Sequence, residues 1–395
     1  MGDISAAGPM AGLPLLEDLP DVGGRSVLVR VDFNVPLSER PDGTLQVDDD
    51  FRIRAALPTL NWLAERGARI TAATHLGRPK GKADPRYDVA PVRERLDELA
   101  PGIELAQNLR FDPGEEADDR TFVDRLVDGF DAYVNDAFGS SHRAHASIVG
   151  PPARLPSAAG RLLQREVEVL GGLLTHPARP FVAIVGGLKV ADKIGVLQSL
   201  LDRVDRLLVG GAMAYTFLAA GGRQVGASPV DQAALEHCAA LIARAGDRLV
   251  LPVDTVALAR EGSFGRGEQG SGRLAAYSGD IPAGWEGGDI GPETVRRFLD
   301  VITGAATVFW NGPLGVFEDP RFASGSDAVA EALASSNAFS VVGGGDSAAA
   351  LSRLGLSDKI GFVSTGGGAS LELLEKGDLP GLDALRHAPN APGRI

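Results

Sequence analysis

Cysteine is almost missing from this 395-residue sequence: Cys238 stands alone, so no internal disulfide can hold the fold together. No run of about 18 apolar residues occurs, which excludes a membrane-spanning helix on length. No basic residue precedes Arg25 and no apolar stretch of signal-peptide type precedes it either, so a cytoplasmic location is expected. Positive charge is in deficit: 39 Lys and Arg against 52 Asp and Glu leave a net charge of −13. That balance argues against a nucleic-acid partner and makes any local cluster of arginines stand out. The phosphate-loop pattern G-x-x-x-x-G-K-[ST] is absent, which excludes a Walker-type NTPase. Gly265, Gly267 and Gly270 do fit G-x-G-x-x-G, but no strand precedes them, so they carry no dinucleotide signal.

What is present is glycine, 51 residues, with 25 prolines spread along the chain. The length suits two domains of roughly 150 to 200 residues each. Short β-branched or apolar runs recur at SVLVRV from 26, RITAA from 69, DAYVN from 131, FVAIV from 181, RLLVG from 206, RLVLPV from 248, TVFW from 307 and FSVV from 339. Longer amphipathic segments separate them, a rhythm that predicts parallel strands with crossover helices. The expected fold class is α/β, with two Rossmann-like domains, each a parallel sheet flanked by helices. Residues 157–174 are expected to form the hinge helix that joins them. The stretch 260–288, rich in Gly, Ser and charge, reads as a surface excursion without regular structure.

Four segments of the N-terminal half place polar residues just after predicted strands: RVDFNVP at 30–36, THLGRPKG at 74–81, NLRF at 108–111 and NDAFGSSHRAHAS at 135–147. Together with Arg52 they should bring His75, Arg78, Arg110, His142, Arg143 and His145 to one edge of one sheet, where ligands of such sheets bind. Guanidinium groups grip phosphate and carboxylate oxygens in pairs, so arginines converging without matching carboxylates imply an anion with more than one charged group. His142 and His145 also have a spacing that could ligate a metal. Asp32 and Asn34 fit either a strand-end turn or a role in chemistry.

In the C-terminal half, VGGLKVADKIGVL at 185–197 sets Lys189 and Lys193 on one face of the following helix. Cations there oppose the helix dipole, and a bound polyphosphate would resolve the conflict. VVGGGDSAAAL at 341–351 and STGGGASLELLE at 364–375 supply glycine turns through which backbone N–H groups can approach phosphate. Asp346 fits both a helix N-cap and a magnesium ligand.

Assembled in order, RVDFNVP, HLGRPKG, NLRF, HRAHAS, GGLKVADKIG, GGAMAYTFL, DIGPET, WNGPLGVFE, GGGDSAAA and STGGGASLELLE make the chain resemble the phosphoglycerate kinase family over nearly its whole length. The resemblance implies reversible phosphoryl transfer between 1,3-bisphosphoglycerate and ADP, giving 3-phosphoglycerate and ATP with Mg2+, in a monomer whose two lobes close by a hinge. It implies that Asp32, Phe33, Asn34, Arg52, His75, Leu76, Gly77, Arg78, Arg110 and Arg143 hold the glycerate. Lys189, Lys193, Gly287, Asn311, Glu318, Gly344, Gly345, Asp346 and Ser347 would hold the nucleotide, with Asp346 on the metal. Arg52, Lys189 and Lys193 would act catalytically, Arg52 and Lys189 from opposite lobes. The implied domains are 1–172, with the tail 382–395 packing back on it, for 3-phosphoglycerate, and 173–381 for nucleotide.

Two positions depart from the family pattern. Leu188 stands where the family usually has alanine, and Gly288 where it usually has leucine, which would remove an apolar wall beside the adenine. They motivate one alternative, a non-catalytic relative that binds nucleotide or anion as a sensor or partner scaffold. A nicotinamide dehydrogenase is a further alternative, resting only on fold analogy and the stray match at Gly265, Gly267 and Gly270.

Overall fold

The computed structural model describes residues 8–392. Residues 1–7 and 393–395, at the ends of the expected first domain and of its tail, lie outside the described residues. The chain divides into two compact units, one of Met1–Thr175 with Lys376–Ile395, the other of His176–Glu375.

The first unit is built on five parallel strands. In spatial order they are Glu104–Leu105, Arg69–Ala73, Ser26–Val31, Ala132–Asp136 and Ser157–Ala159. Alternation along the strand divides the labour of SVLVRV: Val27, Val29 and Val31 enter one core cluster with Ile53, Leu60, Leu63 and Val134, while Arg30 is carried on the opposite face. Helix Phe51–Ala64 covers that core with Ile53, Ala56, Leu60 and Leu63.

The second unit repeats the plan with six parallel strands, in the order Leu249–Val250, Arg206–Val209, Phe181–Val185, Thr307–Asn311, Phe339–Gly343 and Phe362–Val363. FVAIV is buried throughout, and Val182 and Ile184 share a cluster with Leu208, Val308, Trp310 and Val342. Numbered along the chain, the strands run 3-2-1-4-5 in the first sheet and 3-2-1-4-5-6 in the second. Each order reverses beside its first strand, the switch point where doubly wound sheets bind ligands. All the strand runs read from the sequence lie in these two parallel sheets.

Three expectations need correction. Lys189 and Lys193 do not share a helix face: Lys189 lies in the loop, and Lys193 is the N-cap of helix Ile194–Leu201. Residues 157–174 are not one helix: Ser157–Ala159 is an edge strand, and the helix is Arg161–Thr175. Small side chains gave the strand no β signal. The helix start is hidden too, because its first amide, Arg161 N, donates to Thr59 Oγ1 at 2.7 Å, and the next two, Leu162 N and Leu163 N, donate to Asp136 Oδ1 of another strand at 2.9 and 3.2 Å. The stretch 260–288 is not irregular either. Leu274–Ser278 and Trp285–Ile290 pair antiparallel with Asp254–Ala259 in a small sheet of the second unit. Gly287 and Gly288 obscure the second of these strands in the sequence, and packing requires both. A Cβ on Gly287 would lie 2.2 Å from the Tyr215 hydroxyl oxygen, and one on Gly288 would lie 2.3 Å from the Phe322 ring.

The C-terminal segment packs in the first unit. Gly381 N donates to Ser141 O at 2.9 Å, Arg386 Nε to Ala11 O at 2.9 Å, and Asn390 Oδ1 accepts from Ser157 N at 2.7 Å.

Candidate functional site

In the first unit the predicted polar residues gather at the carboxyl ends of the strands. The chain leaving Ser26–Val31 places Asp32, 7% exposed, against Arg52 from the first turn of helix Phe51–Ala64: Arg52 Nη1 lies 3.1 Å from Asp32 Oδ1 and 3.3 Å from Asn34 O. Asn34 Oδ1 accepts Gly77 N at 2.8 Å, and Gly77 O accepts Arg110 Nη1 at 2.8 Å. Gly77 is required here, since its φ is 61° and a Cβ would sit 2.2 Å from the Tyr87 ring. Asn108 ties the neighbouring loop down, donating to Leu76 O at 2.7 Å. Phe33 and Leu76 point into the core, and their amides donate to Thr74 Oγ1 at 2.9 Å and to Asn108 Oδ1 at 3.2 Å. Arg78 is exposed and Arg143 half-buried, with Arg143 Nε 3.1 Å from His142 Nε2.

The arginines are not without carboxylates, contrary to the sequence reading. Arg52 pairs with Asp32, and Arg110 with Glu116 at 3.1 Å. A further arginine, Arg30, 1% exposed, faces the fully buried Glu115 at 4.0 Å. Glu115 and Glu116 follow the NLRF motif in a loop that no local pattern marked. Arg30 could have been noticed as the one charge inside an otherwise apolar strand. Burial works to raise the Asp32 carboxyl, but the Arg52 and Arg30 guanidinium groups outweigh it and hold it below the usual range. His145 is pushed down to about 4 by burial and by Arg110, Arg143 and Arg30. Its Nδ1 faces Glu115 Oε1 at 3.8 Å.

In the second unit, a cavity of about 300 Å³ lies at the switch point, lined by Gly187, Leu188, Lys189, Asp192, Lys193, Asn311, Gly312, Pro313, Gly344 and Asp346. Its walls are backbone: Gly186 N donates to Asn311 O at 2.9 Å and Gly187 N to Pro313 O at 2.9 Å. A Cβ on Gly186 would be 2.1 Å from Pro313 O, so only glycine permits this approach. Lys193 Nζ donates to Gly186 O at 2.6 Å and lies 3.3 Å from Asn311 Oδ1. Burial, opposed by Asp346 and Asp192, pushes it down to about 8. Asn311 Nδ2 is buried without a hydrogen-bond partner, a donor left for a ligand. Leu188 is 67% exposed.

The N-cap of helix Gly345–Arg353 is Gly344, with φ 99° and no side-chain cap. Asp346 is therefore not the N-cap; it sits one residue into the helix and lines the cavity. Among the described residues no group of three or more His, Cys, Asp or Glu could cage a metal ion. Two carboxylates, Asp192 and Asp346, line this phosphate-sized cavity, and that set fits Mg2+, which binds through one or two carboxylates together with substrate phosphates. Gly345 is exposed at the helix start, while Ser347 is buried with its Oγ accepting Gly312 N at 2.7 Å. Gly287 and Glu318 are not among the cavity's lining residues. Gly287 N donates to Ser228 Oγ at 2.9 Å, and the carbonyl of the exposed Glu318 accepts Gly267 N at 2.8 Å.

Fold and polar strand ends together define a class: a two-unit α/β protein with an arginine-lined loop cluster in one unit and a glycine-walled lysine cavity in the other. The chain belongs to the phosphoglycerate kinase family, whose profile matches residues 16–106 and 100–377. It is 50% identical to the phosphoglycerate kinase of Rubrobacter xylanophilus over 388 residues, covering 92% of this chain and 96% of that protein. Among solved structures it is similar to phosphoglycerate kinase from Coxiella burnetii, with TM-score 0.80 and 36% identity over 93% of this chain and 97% of the other. It is also similar to the enzyme of Pyrococcus horikoshii, with TM-score 0.82 and 28% identity over 95% and 99%. No described helix is long and apolar enough to cross a membrane.

Proposed function

We propose that this enzyme, which catalyses the reversible transfer of a phosphoryl group between 1,3-bisphosphoglycerate and ADP to give 3-phosphoglycerate and ATP, divides its substrates between its units. The first unit holds the glycerate through Arg52, Arg110, Arg143, Arg78 and His75, with the backbone of 32–34 and 76–77 shaping the loop. The second holds the nucleotide, with Lys189 and Lys193 neutralising its phosphates and Asp346 contributing to the Mg2+ that accompanies it. The observation that carries the nucleotide assignment is the unpartnered Asn311 amide beside Lys193 and Asp346 in a glycine-walled cavity.

Phosphoryl transfer asks mainly for positioning and charge neutralisation, so no nucleophilic side chain is needed. In this reading the two substrates meet on domain closure, water is excluded, and the phosphoryl group passes in line between Arg52 and Lys189. Calorimetric titration of each substrate tests the division. Lys193→Met should weaken MgADP binding about tenfold, the loss of one charge-assisted contact, and leave 3-phosphoglycerate affinity unchanged. The opposite pattern would place the substrates the other way round.

A further inference from the structure

His75 sits in the floor of the first unit's polar cluster, 5% exposed, and its ring is tied from behind. Arg30 Nη2 lies 3.2 Å from His75 Nδ1. A guanidinium carries only N–H donors and no acceptor. The ring nitrogen facing it must therefore accept, which leaves the imidazole proton on Nε2. Arg30 is itself fixed by a buried chain: its Nε donates to Ser147 Oγ at 2.8 Å, and that hydroxyl donates onward to Glu115 Oε1 at 2.7 Å. Ser147 N also donates to Glu115 Oε2 at 3.0 Å, and Tyr133 Oη to Ser147 O at 2.7 Å. The catalytic roles described above use none of Arg30, Glu115, Ser147 or Tyr133.

We infer that Arg30 is a positioning residue for the glycerate site, holding His75 as the neutral Nε2–H tautomer so that this N–H serves as a hydrogen-bond donor to 3-phosphoglycerate. The inference rests on the reading that His75 belongs to the glycerate site. The surroundings keep the ring neutral. Burial is the largest influence and pushes His75 well below its ordinary value, Arg30, Arg110 and Arg52 push the same way, and only Asp32 opposes them. A neutral ring whose remaining proton is assigned gives a donor that does not change with pH across the neutral range. The fixed tautomer is set by what the other ring nitrogen meets, as for any oriented histidine.

Long-range 1H–15N NMR of the histidine side chains in the full chain reads the tautomer directly, before any substitution. The expected signal for His75 is a neutral ring protonated on Nε2 throughout the neutral pH range. A ring protonated on Nδ1, or one that titrates near its ordinary value, overturns the inference. Arg30→Met should release the tautomer and raise KM for 3-phosphoglycerate about tenfold or more, the loss of one hydrogen bond to a charged group, with KM for ATP unchanged. That variant leaves Glu115 buried without its cation, so Arg30→Met/Glu115→Gln removes both charges if the single variant fails to fold. In Arg30→Lys, which keeps the charge, KM must follow the tautomer, and a KM that ignores it overturns the inference. His75→Asn separates the underlying reading: an unchanged KM for 3-phosphoglycerate there, with the wild-type tautomer as expected, would remove His75 from the glycerate site and the inference with it.

Discussion

In the proposed division of substrates, the two units would bind anions in opposite ways. In the first, side chains do the work and are already engaged: Arg52 on Asp32, Arg110 on Gly77 O and Glu116, Arg30 on Ser147 and His75. In the second the cavity is mostly backbone and glycine, with Lys193 held on a carbonyl, an unpartnered Asn311 amide and an exposed Leu188 at the rim. The first unit has prepaid the ordering of its long side chains, which otherwise costs side-chain entropy when a ligand binds. The second relies on backbone amides that need no ordering and on close approach that only glycine allows. Single side-chain changes should therefore act most strongly on chemistry in the first unit, and on nucleotide binding or on local packing in the second.

The largest expected effect is at Arg52. Arg52→Ala should lower kcat by roughly 100-fold or more, the cost of losing one preorganised charge at the transition state. Steady-state rates at saturating substrates check this, and an unchanged kcat would show that the charge acting on the transferring group is another arginine. Next comes the loop that carries the glycines 265, 267 and 270. Asp319, fully buried, accepts Gly265 N at 2.6 Å and pairs with Arg321, which also donates to Ser271 O and Ser263 O at 3.0 and 2.9 Å. Asp319→Ala strips that buried pair and should destabilise the second unit by roughly 3 kcal/mol, read by denaturant melts. Equal stability would mean the loop is held by its backbone alone.

A smaller effect is expected at Gly288. The Phe322 ring, edge-on to Phe264 at 5.1 Å between centroids, stands where a side chain at 288 would go. Gly288→Leu should cost roughly 2 kcal/mol through overpacking, measurable as a lowered Tm. A neutral result would show that Phe322 yields easily and that this chain could accept the family's leucine.

A further contrast is in pH dependence. Each unit buries a carboxyl that burial pushes up to about 7, Asp136 in the first and Asp289 in the second. A raised value means the folded state keeps a proton that the unfolded chain has released, so unfolded chains bind fewer protons between about pH 4 and 7. Their contribution to stability is full below the unfolded value near 4 and is lost as pH rises to about 7. Asp136→Asn should flatten that decline in the first unit, and Asp289→Asn in the second. Melts at pH 5 and pH 8 that show the same slope in variant and wild type would refute the assignment.

The parallel sheets were legible because buried strands are written as apolar runs, and FVAIV and FSVV could hardly be anything else. The three antiparallel strands of the second unit were not, because Gly287 and Gly288 serve the packing of Tyr215 and Phe322, information held elsewhere in the chain. Edge strand 157–159 depends likewise on pairing with Tyr133, Val134 and Asn135, and the start of the following helix on Asp136. At the candidate sites, charged residues at strand exits could be read directly, as could the glycine turns. Their counter-ions could not: Glu115 and Glu116 sit in a loop without periodicity, and only the fold brings Glu115 to Arg30. Asp346 was open between cap and metal ligand in the sequence, and Gly344 at the N-cap removes the first of these.

The central claim is that both polar strand ends serve one reaction. It is tested most directly by the initial rate of ATP consumption on adding 3-phosphoglycerate to folded protein with Mg2+. Turnover that requires both substrates together is the expected result. Binding of nucleotide and of 3-phosphoglycerate without turnover would contradict it and would describe a sensor instead of an enzyme.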